Sequence, residues 1–118
     1  MEERLEKALN FANYRQTLNN QFQKLKIKSE GLLIYAKNGG SFTITRDLIS
    51  FLDYLERSGM VEATILDDNN IPVAIENVPN FLKEVTRRYF SVTKDYHEEY
   101  QAIRKSRNVK SIIDFKDE

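Results

Sequence analysis

Two turn signals, each set between short apolar runs and each followed by a helical pattern, place this chain in the α+β class. Leu32-Leu33-Ile34-Tyr35-Ala36-Lys37-Asn38-Gly39-Gly40-Ser41-Phe42-Thr43-Ile44-Thr45 reads as strand, tight turn, strand. Ala63-Thr64-Ile65-Leu66-Asp67-Asp68-Asn69-Asn70-Ile71-Pro72-Val73-Ala74-Ile75-Glu76 reads the same way. A third observation is a long amphipathic pattern ahead of both. Together they predict a long N-terminal helix followed by two β-hairpin–α units, with four strands in one antiparallel sheet and helices on one face. The predicted organisation is a single domain over residues 1–118: an N-terminal helix (1–30), a first hairpin–helix unit (31–59), a second (60–107) and a tail (108–118).

The first helix is expected over residues 2–28. Leu5, Ala8, Phe11, Leu18, Phe22 and Leu25 recur at steps of mostly three and four, forming one apolar stripe. Glu2, Glu3 and Glu6 open it and Lys24, Lys26 and Lys28 close it, the order that the helix macrodipole favours. A helix of ~27 residues is ~40 Å long. That exceeds what one small sheet covers, so part of the stripe needs another partner.

Asn38-Gly39 is a two-residue hairpin turn, because both central positions need positive φ. Pairing across it sets Tyr35 opposite Phe42 and Leu33 opposite Ile44. Ser41, Thr43 and Thr45 fall on the other face. Thr45 is placed to cap a helix over 46–57, whose buried face is Leu48, Ile49, Phe51, Leu52 and Leu55. Ser58-Gly59 closes that helix.

The second hairpin admits two registers. A two-residue loop pairs Leu66 with Val73; a three-residue loop pairs Ile65 with Val73 and Ala63 with Ile75, and matches apolar residues better. Pro72 has no amide donor, which suits an edge strand or a non-bonded position. Asn77 is the expected cap of the last helix, with Pro79 tolerated in its first turn.

The two hairpin–helix units echo one another. Asn38 to Asn69, Phe42 to Val73 and Ile44 to Ile75 are each 31 apart, while Leu48 to Val78, Phe51 to Phe81 and Leu52 to Leu82 are each 30 apart. The match is in pattern more than identity, as an internal duplication would leave it.

The last helix is expected over 78–106, with Asn108 ending it. Val78, Leu82, Val85, Tyr89, Val92 and Tyr96 alternate steps of four and three, a heptad seam that then slips by one to Tyr100 and Ile103. The first and last helices therefore pack antiparallel on each other or on copies in another subunit.

Composition narrows the function classes. The chain has 118 residues, 41% hydrophobic and 31% charged, with 18 basic and 18 acidic side chains and no cysteine. A net charge of zero argues against nucleic acid or an anionic membrane as a partner. Absent cysteine excludes disulfides, thiolate metal sites and thiol catalysis. No apolar run approaches the ~18 residues of a membrane span, and the charged start has no signal-peptide core. The expected location is cytoplasmic.

No catalytic, cofactor or metal residues are expected. His97 is the only histidine, and a site needs converging groups that the sequence does not supply. Asp67-Asp68-Asn69-Asn70 lacks the alternate acids, central Gly and distal Glu of a calcium loop, and reads as turn chemistry. Asn38-Gly39-Gly40 joins two strands and lacks the Lys and Ser/Thr of a phosphate loop. Arg87-Arg88 and Arg104-Lys105-Arg107-Lys110 are the basic clusters, the second suited to a helix C-terminus. Tyr89, Tyr96 and Tyr100 read as amphipathic packing residues. The expected partner-binding set is Phe11, Leu18, Phe22, Tyr89, Tyr96, Tyr100, Ile112, Ile113 and Phe115. The leading function is a non-enzymatic interaction or assembly protein that forms a homo-oligomer through its helices.

Three segments carry a resemblance. Phe11-Ala12-Asn13-Tyr14-Arg15-Gln16-Thr17-Leu18-Asn19-Asn20-Gln21, Asn38-Gly39-Gly40-Ser41-Phe42-Thr43-Ile44-Thr45 and Leu66-Asp67-Asp68-Asn69-Asn70-Ile71-Pro72 resemble small uncharacterised proteins of T4-like marine phages. The resemblance implies a viral protein made in a bacterial cytoplasm, with a phage or host protein as a further partner. The tail Ser111-Ile112-Ile113-Asp114-Phe115 is similar to those through which T4-type replication and late-transcription factors grip a sliding clamp, although here it continues as Lys116-Asp117-Glu118. That similarity implies an accessory factor of nucleic-acid transactions.

Overall fold

The computed structural model describes residues 2–116, with side chains described for 2–106. Its elements run α1 (Glu2–Leu32), β1 (Ile34–Lys37), β2 (Gly40–Thr43), α2 (Arg46–Arg57), β3 (Ala63–Leu66), β4 (Pro72–Ile75) and α3 (Val78–Lys116). They divide into two compact units. One joins α1 as far as Lys28 to α3 from Asp95 onward; the other is Ser29–Lys94.

The Ser29–Lys94 unit holds both hairpins. Asn38 (φ 50°) and Gly39 (φ 82°) make the two-residue turn, and Tyr35 pairs with Phe42. Ile44 N–H donates to Leu33 C=O at 2.7 Å, extending the ladder as expected. In the second hairpin Ile65 pairs with Val73 and Ala63 with Ile75, the three-residue-loop register. Asp67 N–H donates to Ile71 C=O at 2.9 Å, so the next pair, Leu66 with Pro72, is a non-bonded one. Pro72 thus sits where no ladder donor is needed.

The four strands do not form one sheet. They form two separate two-stranded sheets, β1–β2 and β3–β4. The reason lies where the hairpins meet. Asp68 N–H donates to Ser41 C=O at 2.9 Å, but the neighbouring links use side chains: Ser41 N–H to Asp67 Oδ2 at 3.0 Å, Thr43 Oγ1 to Asp68 Oδ2 at 2.6 Å and Asn38 Nδ2 to Ala74 C=O at 2.8 Å. Carboxylate and amide groups stand where a backbone ladder would continue. Gly40 makes this meeting close: a Cβ there would lie 2.4 Å from Val73 Cγ2.

Both hairpins nevertheless feed one core. Phe42, Ile44, Ile65, Val73 and Ile75 from the strands pack with Leu52 and Leu55 of α2 and Val78, Phe81 and Val85 of α3. Phe81 is fully enclosed, its ring 5.4 Å from that of Phe42 and 6.0 Å from that of Tyr35.

Helix α2 has the expected bounds and caps. Thr45 Oγ1 accepts from Leu48 N–H at 3.1 Å. At its end Gly59 N–H reaches Glu56 C=O and Met60 N–H reaches Leu55 C=O, both at 3.0 Å, a Schellman closure. Phe51 departs from expectation: it is 47% exposed. Leu48, Leu52 and Leu55 hold the inward line, and Phe51 lies about 100° round the helix from Leu52. The helical half of the echo is therefore looser than the strand half, since its counterpart Phe81 is buried.

Helix α3 begins as expected, Asn77 Oδ1 accepting from Asn80 N–H at 3.1 Å. It does not end at Asn108 but continues to Lys116. One Asn costs an α-helix interior only a few tenths of a kcal/mol up to about 0.7, too little to end a helix by itself. Helix α1 likewise runs four residues past Lys28, and Ser29 in that last stretch is buried.

Candidate interaction surfaces

In the first unit, α1 and α3 pack antiparallel. Lys28 Nζ meets Glu99 Oε1 at 3.0 Å, the Phe22 and Tyr100 rings lie 4.9 Å apart, and Tyr14 Oη donates to Ser106 C=O at 3.3 Å. Residue numbers fall along α1 as they rise along α3. Tyr96 and Tyr100 stack with centroids 6.3 Å apart. The inward line of α1 in this unit is Tyr14, Leu18, Phe22 and Leu25, of which Leu18 and Leu25 are buried.

That line does not include the first turns of the helix. Leu5, Leu9 and Phe11 are 63%, 55% and 41% exposed. Leu9 is half a turn out of phase with Leu18, since nine residues make about two and a half turns. Leu5, Ala8, Leu9 and Ala12 thus form a second apolar face, directed away from the seam with α3. The single stripe expected from sequence is two stripes, one covered and one bare. Leu9 was absent from the expected set. Its signal was the i, i+4 pair with Leu5, flanked by Ala8 and Ala12.

Of the expected partner-binding residues, Leu18, Phe22, Tyr96 and Tyr100 are brought together within this helix pair. Tyr89 belongs to the other unit, half-buried against its core. Phe11 stands exposed. The side chains of Ile112, Ile113 and Phe115 lie outside the described residues.

The second unit carries two polar features. The first joins β1 to α3. The Tyr35 hydroxyl donates to Glu84, Lys37 Nζ lies 3.8 Å from the same carboxylate, and Asn80 Nδ2 donates to its other oxygen at 3.3 Å. The Arg88 guanidinium lies 5.9 Å from the Tyr35 ring centroid and donates to Leu32 C=O at 3.3 Å. The Tyr35 hydrogen bond holds the Glu84 carboxyl below its usual range, and the same bond pushes the Tyr35 hydroxyl up. The cluster locks the first hairpin onto α3.

The second feature is an open groove of about 930 Å³ between α2 and α3. Ile49 and Leu82 are apolar residues of its lining, Asp53 and Glu56 line the α2 side, and Lys83 and Arg87 line the α3 side. Opposite charges face each other, yet among the described residues no ion pair spans the groove; Asp53 instead meets Arg57 of its own helix at 3.0 Å.

His97 is exposed, in a shallow depression on α3 with Glu98, Gln101, Ala102 and Lys105. Among the described residues no group of three or more His, Cys, Asp or Glu side chains is placed to hold a metal ion. No helix there is long and apolar enough to cross a membrane. No family model matches the chain, and no curated protein or solved structure matches it.

Proposed function

We propose that this chain is a non-catalytic interaction protein that works as a homo-oligomer joined through its helices. The observation that carries the reading is the bare apolar face of α1: Leu5 and Leu9 stay 63% and 55% exposed on the side turned away from α3. A two-helix pair has one seam and covers one face of each helix. A further helical surface is needed for the other face, as in bundles built from paired hairpins. Among the described residues, the groups with displaced pKa values are Tyr35, Asp67 and Glu84, each engaged in contacts that hold the fold, which favours a binding role over chemistry. The likeness of its sequence segments to marine-phage proteins supports a viral origin and action in a host cytoplasm.

Burying one leucine side chain is worth about 1.5–3 kcal/mol. Replacing Leu5 and Leu9 together by Gln, which keeps helix propensity, is expected to weaken self-association by more than about tenfold. Light scattering after size-exclusion chromatography reads this directly. The control is Ile71→Gln, an exposed position in the other unit, which is expected to leave the mass unchanged.

A further inference from the structure

We infer that the bare face of α1 seats in the α2–α3 groove of a second copy. This rests on the self-association reading above and names the surface that α1 meets. The groove has an ordered lining: apolar Ile49 and Leu82, acidic Asp53 and Glu56 on α2, basic Lys83 and Arg87 on α3. The first turns of α1 carry the same order in complement. At about 100° per residue, Leu5, Ala8, Leu9 and Ala12 form the apolar face. Glu2 and Glu6 lie along one of its flanks, and Arg4 and Arg15 along the other.

Laid in the groove, the leucines cover Ile49 and Leu82. Glu2 and Glu6 face Lys83 and Arg87, and Arg4 and Arg15 face Asp53 and Glu56. Turning the helix end for end exchanges its flanks, so only one of the two chain directions matches. The charge order therefore supplies orientation as well as attraction. Lys83, Arg87 and Glu56 are exposed, and among the described residues none of them forms an ion pair. Each copy has one such arm and one such groove, so the contact joins unlike surfaces of two copies.

Charge swapping tests the seat. Full-length chains carrying Lys83→Glu with Arg87→Glu, Glu2→Lys with Glu6→Lys, and all four changes are compared by sedimentation equilibrium at low and high salt. Far-UV circular dichroism and thermal midpoints check the fold. Either pair alone is expected to weaken association by about tenfold, through lost attraction and added repulsion. The four-fold variant is expected to recover most of that loss, and wild-type association to weaken as salt rises. Recovery depends on the two surfaces meeting and not on either variant's own defect. Association that is unchanged by the Lys83 and Arg87 reversals, yet abolished by Leu5→Gln with Leu9→Gln, overturns the groove and leaves self-association standing. Failure of the four-fold variant to recover also overturns it. A wild-type chain that is monomeric throughout overturns both.

Discussion

Asp67 shows how one side chain substitutes for secondary structure. Its carboxylate accepts from the backbone N–H groups of Ser41 at 3.0 Å, Asn69 at 2.9 Å and Ile71 at 2.8 Å. Two of these bonds close its own turn, where Asn70 takes φ 61°, and the third holds the other hairpin. The Ser41 bond, followed by that from Ile71, holds the Asp67 carboxyl below its usual range against the opposing effect of burial. Asp67 and Glu84 both have folded values below their unfolded ones. Their contribution is therefore present above the unfolded carboxylate range and is lost as pH falls through the depressed folded values. Tyr35 has the opposite sign: its contribution is full below the ordinary tyrosine range and is lost as pH rises through the raised folded value. Urea midpoints are expected to be flat between about pH 5 and pH 9 and to fall on both sides. Asp67→Asn is expected to lower the midpoint at neutral pH and flatten the acid limb. An acid limb as steep in that variant as in the wild type would count against this role. Gly40 acts at the same scale. A methyl group there meets the buried Val73 side chain at 2.4 Å, and Gly40→Ala is expected to cost about 1–3 kcal/mol in chemical denaturation. The turn chemistry of Asp67-Asp68-Asn69-Asn70 was legible in the sequence; the bond to Ser41 was not, because nothing local to the turn specifies which strand lies beside it.

Among the elements, those whose geometry is decided locally are legible in the sequence, and of the two registers it leaves open for the second hairpin the one with better apolar matching is adopted. Asn38-Gly39, the Thr45 and Asn77 caps and the Gly59 closure each follow from a few adjacent residues. Thr45→Ala is accordingly expected to destabilise the fold by about 1 kcal/mol, measured as a shift in denaturant midpoint without change in slope. Most of what differs depends on distant contacts. Phe51 fits an apolar pattern in α2 as well as Leu52 does, and only the direction of the core separates them. The end of α3 was placed at Asn108 on the weak preference of one residue. Four well-patterned strands suggest a single sheet, yet β2 meets the second hairpin through one backbone bond and flanking side chains at the turn, not along a ladder. The two stripes of α1 read as one for a similar reason: steps of three and four continue through Phe11, while Leu5 and Leu9 belong to the opposite side.

For the whole molecule, two differently built units share the same two long helices. The Ser29–Lys94 unit closes around a continuous core from both hairpins, α2 and the start of α3. The other is a helix pair whose buried apolar residues on α1 are Leu18 and Leu25. The antiparallel pairing of α1 and α3 was one of two arrangements open in the sequence, and it absorbs Phe22, Tyr96 and Tyr100. It leaves the first turns of α1 bare, and that surplus is the ground for self-association. The most direct measurement is sedimentation equilibrium of the full-length wild-type chain across a wide concentration range. A reversible shift from monomer toward dimer mass is expected, abolished in the Leu5→Gln, Leu9→Gln variant. A monomer mass at every concentration, or a dimer indifferent to those two leucines, would contradict it.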